Sequence, residues 1–121
     1  MGVSADAERR KRTMTSPLLI TQRQEARLIL AVARVPEHGR EGLLKYLCYG
    51  VPPGHFLMAV LANDLTEACG RADDSNRVAL AEYISVLHNH APSESWGSRE
   101  KVRAWIEQGM ELRRAAREAT A

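Results

Sequence analysis

Four histidines, two cysteines and fifteen carboxylates are the side chains with which this 121-residue chain could do chemistry. The first candidate is His88-Asn89-His90. Its letters match a nuclease motif, but that motif spreads its residues over a ββα metal site. Here the two histidines lie two apart on an expected helix, about 200° around the axis, so they cannot share one ion. Ligands on a helix need a spacing of three or four. His38 and His55 stand in separate turns. Among the carboxylates, Asp64 and Glu67 share a helical face, and Asp73, Asp74 and Glu82 follow. No histidine at a suitable spacing joins them, so they read as caps and solvated charges. Ser93, Ser95 and Ser98 read as turn and cap residues. No catalytic residue is assigned, and no metal or cofactor is expected. Cys48 and Cys69 are 21 residues apart without a CxxC pair, which reads as two buried free thiols in a reducing compartment.

Binding chemistry is better represented. Asn63, Asp64, Arg71, Asp73, Asn76 and Asn89 flank two central helices. Antiparallel packing of those helices would set Asn63 and Asp64 opposite the middle of the next helix, with Arg71 at the shared corner. Pro52, Pro53 and Gly54, together with Trp96, would complete a ligand- or partner-binding pocket. The competing reading is a hydrogen-bond network that only satisfies helix ends.

These side chains must be positioned by helices. Thr21 and Gln24 have the capping-box spacing, and Leu28, Ile29, Val32 and Val35 share a face before Pro36 stops the first helix. Leu43, Leu44 and Leu47 stripe a second helix over Glu37–Tyr49, with Gly50 as its left-handed terminator. Pro52 and Pro53 make a stiff corner, and Gly54 is expected to permit a sharp change of direction. A third helix then carries Leu57, Val60, Leu61, Asp64, Leu65 and Ala68 on one face and ends at Gly70. Asp73 or Asp74 caps a fourth, striped by Leu80, Tyr83, Ile84 and Leu87 and ended by Pro92. Ser98 opens a fifth, striped by Val102, Trp105 and Ile106 and interrupted at Gly109. No strand is expected, and nothing repeats at a fixed period. The fold class is therefore all-α, a compact bundle of about five short helices. A flexible basic arm is expected over residues 1–16, the helical domain over 17–109 and a polar helical tail over 110–121.

Charge narrows the function classes. The overall +2 is segregated: residues 1–34 carry seven Lys/Arg against three Asp/Glu, 35–98 four against eight, and 99–121 six against four. An acidic middle does not suit a nucleic-acid-reading core, which is normally basic on one face. A helix-turn-helix across Gly70-Arg71-Ala72 would present Asp73, Asp74 and Glu82 to phosphate. Nucleic acid remains compatible with the basic ends, so a DNA-binding regulator acting through its termini is the alternative function. No run of about 18 apolar residues suggests a membrane span. The first residues lack the apolar stretch of a secretory leader. A cytoplasmic protein without a membrane partner is expected.

Several motifs together carry a resemblance. Gly50-Val51-Pro52-Pro53-Gly54, Phe56-Leu57, Ala59-Val60-Leu61, Asn63-Asp64-Leu65, Arg71-Ala72-Asp73, Asn76, Trp96-Gly97-Ser98 and Trp105 resemble a group of short, mostly uncharacterised phage and prophage proteins. The likeness covers about Leu43 to Gly109. Residues 1–40 and the stretch after Gly109 extend beyond the group's compact unit, and His88 stands where that group commonly has a tyrosine. The resemblance implies a non-enzymatic accessory protein that acts by stoichiometric binding in the host cytoplasm. Its partner would be a host defence protein or a small signalling nucleotide, and a homo-oligomer would give an enclosed pocket the room that one small bundle lacks.

Overall fold

A computed structural model describes residues 17–120. The expected arm over residues 1–16 lies outside the described residues. Within them the chain is all-helical, without a strand. Its α-helices are α1 Gln22–Ala31, α2 Glu37–Tyr49, α3 His55–Leu61, α4 Leu65–Arg71, α5 Asp74–Val78, α6 Leu80–His90 and α7 Arg99–Thr120. Single 3-10 turns cover Val32–Arg34 and Ser93–Ser95. The bundle has seven α-helices among the described residues, not about five, because the third and fourth expected helices are each divided. No helix of the described residues is long and apolar enough to cross a membrane.

The early elements follow local signals. The Thr21 hydroxyl accepts from the Gln24 amide at 3.0 Å, and the Gln24 side chain accepts from the Thr21 amide at 2.8 Å, closing the capping box. Val35 is extended, as a residue before proline should be, and α2 starts immediately after Pro36. At the other end of α2, Gly50 takes φ +70° and its amide bonds the Tyr46 carbonyl at 2.8 Å.

The expected third helix breaks at Asn63. This residue has φ +61°, a left-handed conformation that asparagine tolerates better than most residues. Its amide bonds the Val60 carbonyl at 3.1 Å, and the Asp64 amide bonds the Ala59 carbonyl at 2.9 Å. That pair of bonds is a Schellman termination, with asparagine in the usual glycine position. Asp64 then caps α4, accepting from the Glu67 amide at 3.1 Å. The rotation takes Leu65 out of the apolar stripe, and it is 65% exposed. The fourth expected helix bends at Ala79, whose φ and ψ are −90° and 5° while its amide keeps the bond to the Ser75 carbonyl.

One core holds these pieces together. Leu28, Leu43, Tyr46, Leu61, Tyr83 and Leu87 are wholly buried in it. Each such aliphatic side chain contributes about 1.5–3 kcal/mol by leaving water. α1 packs on α6, α2 on α3 and α7, and α3 on α4 and α7.

Gly109 does not interrupt α7. A glycine in mid-helix costs about 1 kcal/mol relative to alanine, and here the packing requires it. A β-carbon on Gly109 would overlap the Tyr49 carbonyl and lie 2.8 Å from the Gly50 α-carbon. One on Gly50 would lie 2.7 Å from the Trp105 carbonyl oxygen. The two glycines therefore let α7 touch the end of α2 backbone to backbone. Side chains of α7 then serve the last carbonyls of α2: Trp105 Nε1 donates to Tyr46 O at 2.9 Å, and Arg113 donates to Tyr49 O. Held in this way, the helix runs on to Thr120.

Candidate binding groove

The residues of the expected polar pocket fall into separate bonded groups. Asp64 Oδ2 lies 2.7 Å from Arg99 Nη2, so its partner is on α7 and not on the fourth expected helix. Arg71 turns back along α4 to Glu67 at 2.7 Å. Asp73 caps α5 through the Asn76 amide at 2.7 Å, and its other oxygen lies 3.2 Å from His38 Nε2. Asn76 is buried, and its side-chain oxygen accepts from the Tyr83 hydroxyl at 2.7 Å. Asn89 is exposed on α6 and donates to the Ser85 carbonyl at 2.8 Å. Asn63 is the exposed left-handed residue between α3 and α4. The structure brings Asp73 and Asn76 together, but Asp64 and Arg71 reach different partners. A hollow of only about 40 Å³ borders Asn63 and Asp64.

The buried tyrosine beside Asn76 explains part of this arrangement. Tyr83 packs edge-on against Phe56, with ring centroids 5.3 Å apart. Burial, with the nearby Asp73 charge, pushes its hydroxyl up to about 12, so it stays a neutral donor to Asn76. The same physics applies on α2. Burial pushes the Cys48 thiol up to about 12 and raises Tyr46 further, and the Tyr46 hydroxyl donates to the Ser95 carbonyl at 2.6 Å. Neither described cysteine is in a disulfide; Cys48 is buried, as expected, but Cys69 is only half-buried.

The larger opening lies elsewhere. A groove of about 660 Å³ runs between α3 and the first half of α7. Met58, Ala59 and Ala62 form one wall, and Val102 and Ile106 form the other. Pro53 and Gly54 close its near end, so the proline corner does border a cavity. Pro52 is exposed, and Trp96 is half-buried at the edge of the core, away from the groove lining. Gly54 has φ −69° and ψ 176°, which any residue adopts, and nothing lies within 4 Å of a β-carbon placed there. Its expected conformational role is therefore absent: the prolines, not the glycine, make the corner.

Charge is distributed unevenly around the groove. Arg99 is held by Asp64, and Glu67 by Arg71. The side chains of Arg103 and Glu107, one helical turn apart on α7, make no hydrogen bond or ion pair with a described residue. An apolar floor of this size with a few uncommitted polar groups is the usual make-up of a small-molecule or side-chain receptor. The sequence reading missed Met58, Arg103, Ile106 and Glu107. The available signal was Arg103 and Glu107 at i,i+4 beside the Val102–Ile106 stripe, a pattern shared by many solvated helices. No group of three or more His, Cys, Asp or Glu side chains among the described residues is placed to hold a metal ion.

No family model matches the chain, and neither a curated protein nor a solved structure does.

Proposed function

We propose that this chain is a non-enzymatic accessory protein of phage or prophage type that acts by stoichiometric binding. It sequesters a host defence component or a signalling nucleotide in the cytoplasm, the host's cytoplasm if a phage encodes it. The observation that carries the binding reading is the α3–α7 groove. Its apolar walls stand open beside uncommitted Arg103 and Glu107, while the polar residues nearer the core are engaged in caps and ion pairs. The phage context rests on the motif resemblance between Leu43 and Gly109. Calorimetry of the purified protein against cyclic and linear nucleotides, together with a host-lysate pull-down scored for stoichiometry, tests the reading. Saturable binding at a fixed ratio without turnover is expected. No partner in either assay overturns it.

A further inference from the structure

The groove does not end where α3 ends. A second hollow of about 540 Å³ continues along α7, lined by Met110, Glu111, Arg113, Arg114 and Arg117, and the two meet at Glu107. At 3.6 residues per turn, Arg99, Arg103, Met110, Arg114 and Arg117 fall within one sector of about 60°. The row is about 27 Å long at 1.5 Å per residue. Met110, in its middle, is 57% exposed. Arg103 and Arg117 are exposed, and their side chains make no hydrogen bond or ion pair with a described residue. Arg114 is shared between Glu111 and Glu118, so the acids of the helix lie along one flank of the row.

We infer that this face of α7 docks an acidic amphipathic helix from a partner protein. The inference rests on the binding reading above and names the partner's chemistry. The row is longer than a drug-sized molecule and matches about five turns of helix. Its apolar positions, Ile106 and Met110 with Met58 on the facing wall, would take the partner's apolar stripe. Its two unpaired guanidiniums, Arg103 and Arg117, would take carboxylates about four turns apart beside that stripe.

Charge also decides between occupants. Residues 1–16 of this chain carry four Lys/Arg against two Asp/Glu, the same sign as the row. In a twofold antiparallel pairing of α7 with its own copy, like flank meets like flank, so arginine would face arginine. A nucleic-acid backbone would leave the apolar walls uncovered, whereas an acidic amphipathic helix covers them and still meets the arginines.

The test uses labelled helical peptides of about 18 residues, with leucines at i,i+3,i+4,i+7 spacing and flanks of either glutamate or lysine. Anisotropy titrations use the full chain and an Arg103→Glu/Arg117→Glu variant, whose fold is checked by circular dichroism. The glutamate peptide should bind with Kd on the order of 10 μM. The lysine peptide should bind at least about tenfold more weakly, and the double reversal should invert the preference. Equal binding of both peptides, no binding of either, or an unchanged preference in the variant overturns the inference. So does a DNA duplex that binds more tightly than the glutamate peptide. The parent reading is judged separately. A fixed-ratio complex recovered from lysate by the full chain and retained by the double variant removes this docking face and leaves stoichiometric binding standing. A full chain that forms no complex in any assay removes both.

Discussion

Helix α7 meets α2 and α3 in opposite ways. Against α2 the contact is closed, with Gly109 on Gly50, Trp105 bonded to Tyr46 and Arg113 bonded to Tyr49. Against α3 it is open, and a groove of about 660 Å³ separates the helices. The difference comes from side-chain size at the line of contact. Two glycines let backbones touch at the seam, whereas on the adjoining flank of α7 the side chains of Met58, Val102 and Ile106 stand between the helices. One closed seam thus holds the helix in place beside an adjoining flank that stays uncovered.

Breaking the closed side should have the largest effect. Gly109→Val places a branched side chain against the Tyr49 carbonyl, and a loss of more than about 3 kcal/mol is expected in urea unfolding. Stability close to that of the native chain would show that the seam does not hold α7.

Alkali should act next, through two buried groups of the core. The folded values of Cys48 and Tyr83 are raised to about 12 from ordinary values of 9.0 and 10.0. Between those limits the folded chain binds more protons than the unfolded chain, so stability falls as pH rises. It should be fully present below pH 9 and decline from there toward 12, the Cys48 contribution going first. Melting temperature followed across that range checks the sign, and Cys48→Ala should move the onset to higher pH.

Tyr46→Phe removes the bond to the Ser95 carbonyl, which lies on a fully buried residue. About 1–3 kcal/mol should be lost in denaturant unfolding. The groove should be unaffected, as judged by an unchanged Kd for the glutamate peptide.

Asn63 sharpens the comparison on the open side. With φ +61°, Asn63→Gly should keep or slightly raise the melting temperature, whereas Asn63→Val should cost about 1–2 kcal/mol. If the two variants melt alike, the left-handed turn is not what divides α3 from α4.

The smallest effect should come from Arg99→Ala. The arginine side chain is 70% exposed although Asp64 lies 2.7 Å away. Such a pair contributes less than about 1 kcal/mol, so unfolding should scarcely change.

The sequence by itself determined the local elements. Thr21 and Gln24 announce α1, Pro36 and Gly50 bracket α2, and Asp73 announces α5, because caps and terminators act through bonds within a few residues. The all-helical class was legible for the same reason. The division at Asn63-Asp64 was written there too, as a terminator followed by a cap, but the uninterrupted apolar spacing through Leu65 conceals it. The tertiary structure alone decided the rest. Gly109 reads as a helix breaker until Gly50 is opposite it. Asp64 reads as part of a cluster with Arg71 until Arg99, 35 residues away, takes its carboxylate. Apart from Arg103 and Glu107 at i,i+4, the groove leaves no mark on the sequence, since its walls come from α3 and α7, which only packing brings together. Spacing along a chain reports which residues can share a helical face, but only packing shows which faces close and which one stays open.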